Sequence, residues 1–118
     1  MKNKVKLFLN PDPRELEEEI NRFLKRKELN DWKIEYDLAY GGTCVMFSAL
    51  LTYDDSVDWS PWKGEQVAIF HHPNSTQLGK EINQFLEREP IRKWKASYAT
   101  AYMGTCIISS VLIRYQKE

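Results

Sequence analysis

The sequence lacks most of the features that mark a specialised class of protein. It has only two cysteines, Cys44 and Cys106, so neither a disulfide framework nor a cysteine-rich zinc site is indicated. Lys and Arg balance Asp and Glu at 17 each, which argues against a polymeric nucleic-acid partner, because such binders normally carry excess basic residues. No apolar run is long enough for export or for spanning a bilayer. We therefore expect a cytoplasmic protein without membrane contact, whose cysteines are buried as small apolar residues.

Motifs that carry catalysis are also missing. There is neither a P-loop nor a dinucleotide-binding glycine pattern. His71 and His72 are adjacent, so in a strand they point to opposite faces and cannot readily chelate one metal ion. The two cysteines have no repeated histidine near them that could activate a nucleophile. We predict a protein that is not an enzyme, with no catalytic residue, no metal and no cofactor.

What the sequence does have is an internal repeat. Residues 4–53 align without a gap on residues 66–115, with 21 identities in 50 pairs, which indicates a tandem duplication. We divide the chain into a first repeat (1–53), a linker (54–65) and a second repeat (66–118), which together form one compact pseudo-dimeric domain. Residues 1–65 hold 10 basic and 13 acidic side chains, whereas residues 66–118 hold 7 and 4. This complementarity suits docking of the repeats on each other, or head-to-tail pairing between chains.

Each repeat follows the order strand, helix, strand, strand. Val5, Leu7 and Leu9 alternate with other residues as in a strand, and Asp12 and Asn74 are suitable helix N-caps. The predicted fold is α+β, made of two tandem β-α-β-β repeats, with the helices packed on one face of an antiparallel or mixed sheet and an approximate twofold axis. The helix positions predicted to be buried are Leu16, Ile20, Phe23 and Leu24 in the first repeat and Leu78, Ile82, Phe85 and Leu86 in the second.

The third strand of each repeat, near residues 44–51 and 106–113, is apolar on both faces, which predicts a central position in a covered sheet. Helices can cover one face of a joint sheet, so something else must cover the other. We expect a second sheet from a partner chain or a ligand, and hence a homo-oligomer.

Each repeat resembles the small single-module sporulation proteins of spore-forming bacteria. The resemblance is carried by Glu19-Ile20-Asn21-Arg22-Phe23-Leu24, Tyr36, Ala39, Cys44, Ser48-Ala49-Leu50 and Tyr53, most of which recur in the second repeat. These are mostly core and turn positions, and the family provides no catalytic residues to carry over. The strand order is also similar to that of dodecins, which implies an assembly that stacks flat aromatic ligands between protomers.

An aromatic stripe supplies the candidate binding site. Trp32, Tyr36 and Tyr40 are spaced four residues apart, so in a strand they share one face, and the second repeat preserves the pattern. Such a stripe forms either core or a stacking surface. Hydroxyls beside the glycine turns and cations of the second repeat would suit a small anionic, nucleotide-like ligand. The predicted ligand-binding residues are Tyr36, Tyr40, Thr43, Tyr98, Tyr102, Thr105, Arg92, Lys93 and Lys95.

The resulting hypothesis is a non-enzymatic protein that binds a small ligand. Its most concrete form is an anti-defence sponge of the kind that some phages encode, which would sequester nucleotide-derived immune signals such as cyclic nucleotides or cyclic ADP-ribose in the host cytoplasm. The alternative is a structural or regulatory protein that acts through protein–protein contacts. A hydrolase would need an acid–base pair that the sequence does not offer. In the linker, Trp59 and Trp62 either pack over a core edge or form a stacking wall for the ligand.

Overall fold

A computed structural model describes residues 3–55 and 60–117 as a mixed α+β fold. The strands form two antiparallel three-stranded sheets, and the third strand of each half is the central one. We call the sheet with strand order β1-β3-β2 the first sheet and the sheet with strand order β4-β6-β5 the second sheet. The elements are β1 (Asn3–Asn10), α1 (Pro13–Lys27), β2 (Trp32–Tyr40), β3 (Val45–Asp54), β4 (Glu65–His72), α2 (Ser75–Arg88), β5 (Ile91–Tyr102) and β6 (Ile107–Lys117).

Both helices begin at the predicted capping residues. The Asp12 carboxylate accepts a hydrogen bond from the amide of Arg14, and the Asn74 side chain accepts one from the amide of Gln77. Helix α1 ends at Glu28, whose left-handed backbone (φ 51°) lets its amide bond back to the last turn. Each helix packs against one face of its own sheet, which we call the helix face. The opposite face of each sheet is the open face.

Helix α1 is buried more fully than α2. All four predicted α1 positions, Leu16, Ile20, Phe23 and Leu24, are buried, whereas in α2 only Leu78 is. Ile82, Phe85 and Leu86 are half-buried. The reason is that α1 lies against β1 and also against β4 of the second sheet, while the main contacts of α2 are with β4 and β6 of its own sheet.

The two sheets stack on each other instead of forming the expected joint sheet. The open face of the second sheet lies on the helix face of the first, with β5 next to β2. Ala99 and Ala101 of β5 share one buried cluster with Leu38 of β2, and their small side chains allow the strands to approach closely. Tyr36 of the first sheet shares a 2.7 Å hydrogen bond with Ser110 of the second.

Helix α1 also covers the exposed edge of β4. The Asn21 side chain donates to the carbonyl of Val67 (2.9 Å) and accepts from its amide (2.7 Å). The Glu17 carboxylate accepts a hydrogen bond from the amide of Ile69 at 2.7 Å. These bonds satisfy backbone groups that an edge strand otherwise leaves free.

Equivalent residues of the two repeats therefore have different surroundings. Trp32 and Tyr36 are 3% and 9% exposed, whereas Trp94 and Tyr98, at the same positions in the second repeat, are 52% and 64% exposed. A twofold axis would give Tyr98 the partner corresponding to Ser110, but Tyr98 bonds to Ser109 of its own sheet. These contacts do not support the predicted twofold axis, because the repeats meet through opposite faces.

One further expectation, the burial of the two cysteines, needs correction. Cys44 and Cys106 are exposed, because each lies at the turn between the last two strands of its repeat and not in the central strand itself. On the open face of the first sheet, Val5, Leu7 and Leu9 are exposed, although their alternation correctly predicts a strand. The described residues contain no helix that is long and apolar enough to cross a membrane.

Candidate ligand-binding cleft

A cleft of about 690 Å³ opens where the starts of β2 and β5 lie side by side. Its walls combine three aromatic rings, five cationic side chains and one carboxylate. The lining residues are Trp32, Lys33, Glu65, Arg92, Lys93, Trp94, Lys95, Arg114 and Tyr115.

Arg114 forms a fixed part of the cleft wall. Its guanidinium lies 3.6 Å from the centre of the Trp32 ring and also donates to the Trp32 backbone carbonyl. Its Nε and Nη2 atoms donate to the two carboxylate oxygens of Glu65, at 2.8 and 3.1 Å. This bidentate pair neutralises both charges and holds both side chains in one geometry. Arg114 and Glu65 are therefore part of the scaffold that joins the two sheets.

The remaining cations are exposed around the cleft. Lys33 lies on β2, and Arg92, Lys93 and Lys95 lie at the start of β5, where the pairing with β6 is irregular between Ile91 and Lys93. None of the four forms an ion pair with another residue of 3–55 or 60–117. The cleft therefore presents unneutralised positive charge, which attracts anions.

Trp94 supplies an accessible ring to the same cleft. About half of its surface is exposed, in contrast to the buried Trp32 at the equivalent position. A flat ligand can stack on an exposed indole while its anionic groups reach neighbouring Lys and Arg side chains. Sequence reasoning placed Trp94 in the aromatic stripe but did not assign it to the site, and it also missed Lys33 and Arg114. The signal that could have found Trp94 and Lys33 is that Trp-Lys occurs at the start of the second strand in both repeats.

Tyr115 closes the inner side of the cleft. Burial raises the pKa of its phenol, and the nearby carboxylates of Glu17 and Glu89 raise this pKa further. Its hydroxyl donates a 3.3 Å hydrogen bond to the side-chain oxygen of Gln66. Tyr115 therefore stays protonated at neutral pH and contributes an apolar ring with a hydrogen-bond donor that already has a partner.

The predicted aromatic residues lie elsewhere. Tyr36 is buried between the sheets, where burial raises its pKa to about 12 and its hydroxyl bonds to Ser110, so it lines no part of this cleft. Tyr98 is exposed on the helix face of the second sheet, with its hydroxyl 3.2 Å from Ser109. Tyr40 and Tyr102 donate to the carbonyls of Gly42 and Gly104, respectively, within their own turns.

The turns themselves are at the opposite end of the strands from the cleft. Thr43 and Thr105 are exposed there, but β5 separates Lys93 from Tyr102 by nine residues, or about 30 Å at the usual strand rise. In the turns, the amides of Gly41 and Met103 bond to the carbonyls of Cys44 and Cys106, so they are not free to bind an anion. The structure thus brings Arg92, Lys93 and Lys95 together, but not with the predicted tyrosines and threonines.

No metal-binding cluster is found among the described residues, in which no three His, Cys, Asp or Glu side chains converge. His71 packs edge-on against Phe47, and the Nδ1 atom of His72 accepts a hydrogen bond from the amide of Asn74. The register places the two histidines on opposite faces of β4, as their adjacency predicts.

The linker is anchored at the beginning of β2. Asn30 donates to the carbonyl of Pro61 and accepts from the amide of Lys63. Trp62 is half-buried and does not line the cleft, which favours a packing role over a stacking wall. Trp59 lies outside the described residues.

Comparison with known proteins adds no relative: no family model, curated protein or solved structure matches this chain.

Proposed function

We propose that this chain is a non-enzymatic binding protein that holds a flat, anionic, nucleotide-like ligand in the cleft beside Trp94. The observation that carries the proposal is a cleft lined both by the half-exposed Trp94 and by four cations without ion-pair partners in the described residues, namely Lys33, Arg92, Lys93 and Lys95. Aromatic surface orients a base, and the cations select for phosphate groups.

The expected affinity follows from the contacts that are accessible. A base stacked on an aromatic side chain contributes about 1–3 kcal/mol, and each charge-assisted hydrogen bond contributes about 1.5–3 kcal/mol. One stacked base and two or three such bonds are sufficient for micromolar binding after the cost of immobilising the ligand. Salt should weaken the interaction, because the cations are solvent-exposed.

Retention of the ligand fits this arrangement better than turnover. The one carboxylate that lines the cleft, Glu65, is held by both nitrogen donors of Arg114, so it is poorly placed to remove a proton from a ligand. The most concrete form of the proposal is therefore sequestration of a nucleotide-derived immune signal in the cytoplasm of an infected host. This form requires no cofactor and predicts that the ligand is released unchanged.

The test is calorimetry against cyclic oligonucleotides and cyclic ADP-ribose isomers, followed by heat denaturation and chromatography of the released ligand. Trp94→Ala and Lys95→Ala should each weaken binding by about tenfold or more. Tyr102→Ala, at the far end of the same strand, is the matched control and should retain native affinity if the cleft is the site. Selective loss with Tyr102→Ala would instead place the ligand at the turn. If no member of the panel binds at ~10 μM, which corresponds to about −6.8 kcal/mol, the proposal fails.

A second candidate function, binding through protein–protein contacts, is favoured by a different observation. Val5, Leu7 and Leu9 expose most of their surface on the open face of the first sheet, and a row of apolar side chains of this kind is typical of a contact surface.

A further inference from the structure

Within residues 3–55 and 60–117, one helix face and one open face have no second sheet packed on them. On the helix face of the second sheet, Trp94, Tyr98 and Tyr102 are exposed beside α2, and we call them the head surface. On the open face of the first sheet, Val5, Leu7 and Leu9 are exposed, and we call them the tail surface. Leu7, at 70% exposure, is the most accessible of the six.

The same two kinds of face are already paired inside the chain. The helix face of the first sheet, with Trp32 and Tyr36, receives the open face of the second sheet, with Val67 and Ile69. The repeat alignment makes Trp94 and Tyr98 the counterparts of Trp32 and Tyr36, and it makes Val5 and Leu7 the counterparts of Val67 and Ile69. The head surface thus corresponds to the helix face of the first sheet, and the tail surface corresponds to the open face of the second sheet. These two faces already form the interface within the chain.

We propose that the head surface of one molecule binds the tail surface of a second copy, so that the contact between repeats is repeated between chains. Such a contact is heterologous, because each partner contributes a different surface. Successive copies then add in the same direction and form either an open chain or a ring, depending on the rotation between neighbours.

The repeat alignment assigns specific contacts to this interface. Tyr98 takes the place of Tyr36, so its hydroxyl should bond to Ser48 of the second copy as Tyr36 bonds to Ser110. The exposed Asn83 takes the place of Asn21 and should bond to the backbone of the incoming β1 edge at Val5. β1 is an edge strand of the first sheet, so one row of its backbone groups faces outwards for such pairing.

Charge supports the same pairing. Residues 1–65, which carry the tail surface, have three more acidic than basic side chains, and residues 66–118, which carry the head surface, have three more basic than acidic ones. Opposite net charges favour contacts between unlike halves over contacts between like halves. A twofold dimer through either surface would bring like-charged halves together.

Three differences make the contact between chains weaker than the one within the chain. Ala99, which packs between the sheets, corresponds to Asp37, so a carboxylate takes the place of a small apolar side chain. Arg114, which stacks on Trp32, corresponds to Thr52, and Glu17, which bonds to Ile69, corresponds to Gly79. The interface between copies therefore lacks a guanidinium–indole stack and one hydrogen bond. We expect association to be reversible and to depend on concentration. Because Trp94 belongs both to the cleft and to the head surface, a ligand in the cleft should compete with the second copy.

Sedimentation velocity of the full chain, from about 1 μM to about 1 mM, tests this proposal. The native protein should shift from monomer towards larger species as concentration rises. Leu7→Asp on the tail and Tyr98→Asp on the head should each abolish this growth, weakening association by at least about thirtyfold, which is the effect of a typical hot-spot residue. Lys80→Asp, an exposed change of charge on α2 outside both surfaces, should leave it intact.

The decisive step is to mix the two variants. The Leu7→Asp chain keeps an intact head and the Tyr98→Asp chain an intact tail, so the mixture should form a 1:1 complex that grows no further. Circular dichroism checks that each variant is folded, and Leu9→Asp and Tyr102→Asp replace any variant that is not. A native chain that remains monomeric throughout, or two folded variants that fail to associate when mixed, would overturn the proposal. A dimer that survives either single substitution would point to a twofold contact elsewhere.

Discussion

Replacing Asn21 by alanine should lower the free energy of unfolding, because it removes two hydrogen bonds between the first and the second repeat. In the native chain this side chain makes two hydrogen bonds to Val67 on the edge of β4, at 2.9 and 2.7 Å. Val67 is fully buried, so Asn21→Ala leaves its amide and its carbonyl without their partners. Each such loss costs about 1–3 kcal/mol, and we expect a total of about 2–4 kcal/mol because the bonds lie at a sheet edge where water can partly replace them.

The second repeat provides the matched control. Asn83 occupies the equivalent position on α2 but is exposed, so Asn83→Ala should change the free energy of unfolding by no more than about 0.5 kcal/mol. Urea denaturation followed by circular dichroism, at concentrations where the chain is monomeric, measures both changes as shifts of the midpoint. Equal costs for the two substitutions would refute the reasoning, because they would mean that both helices contact the other repeat in the same way.

Three other substitutions test the packing and its pH dependence. Phe23→Ala removes a buried ring between Phe8 and Tyr53 and should cost about 3–5 kcal/mol by thermal or urea unfolding; a cost below about 0.5 kcal/mol would mean that the face of α1 is misassigned. The pKa of Tyr36 is raised to about 12 from 10.0, so its contribution to stability should be lost as pH rises from 10 to 12, and Tyr36→Phe should remove that decline. A variant that declines like the native chain would contradict this. The pKa of Glu17 is raised by burial, so Glu17→Gln should gain stability relative to the native chain as pH rises from 4 to 7, and an effect independent of pH would count against the assignment.

Much of the local structure could be predicted because it depends on short-range patterns. The capping residues Asp12 and Asn74 begin helices, and the apolar spacing from Leu16 to Leu24 identifies the buried face of α1. Because β3 and β6 carry apolar residues on both strand faces, their central position in each sheet could be predicted. In each case, neighbours in sequence determine the outcome.

The relation between the repeats could not be read from the sequence in the same way. Trp32 and Trp94 both begin the pattern Trp-Lys-x-x-Tyr, yet one is buried and the other exposed, because only the first repeat has another sheet on its helix face. The replacements that distinguish the packed face from the exposed one are scattered along the chain. Arg114 stands where the first repeat has Thr52, and Ala99 stands where it has Asp37. Their significance becomes visible only when the two faces are in contact.

The same limitation explains why the predicted site residues do not all lie together. Arg92, Lys93 and Lys95 were identified from their charge, and they do line one cleft. The tyrosines were grouped with them because aromatic rings and cations together suit a nucleotide, although the nine residues between Lys93 and Tyr102 already imply a separation of about 30 Å in a strand. Tyr36 and Tyr98 were assigned together because they occupy equivalent positions of the aromatic stripe, but only Tyr98 is exposed, since the two repeats have different surroundings.

The central claim is that equivalent repeats pack through opposite faces, and a pair of double-mutant cycles on the dilute, monomeric chain tests it most directly. In the first cycle, Tyr36→Phe and Ser110→Ala should be coupled by about 0.5–3 kcal/mol, because their hydroxyls share a 2.7 Å hydrogen bond across the sheets. In the second cycle, Tyr98→Phe and Ser48→Ala, the equivalent positions, should be additive within about 0.3–0.5 kcal/mol. Coupling of similar size in both cycles would contradict the account and would indicate the twofold arrangement instead.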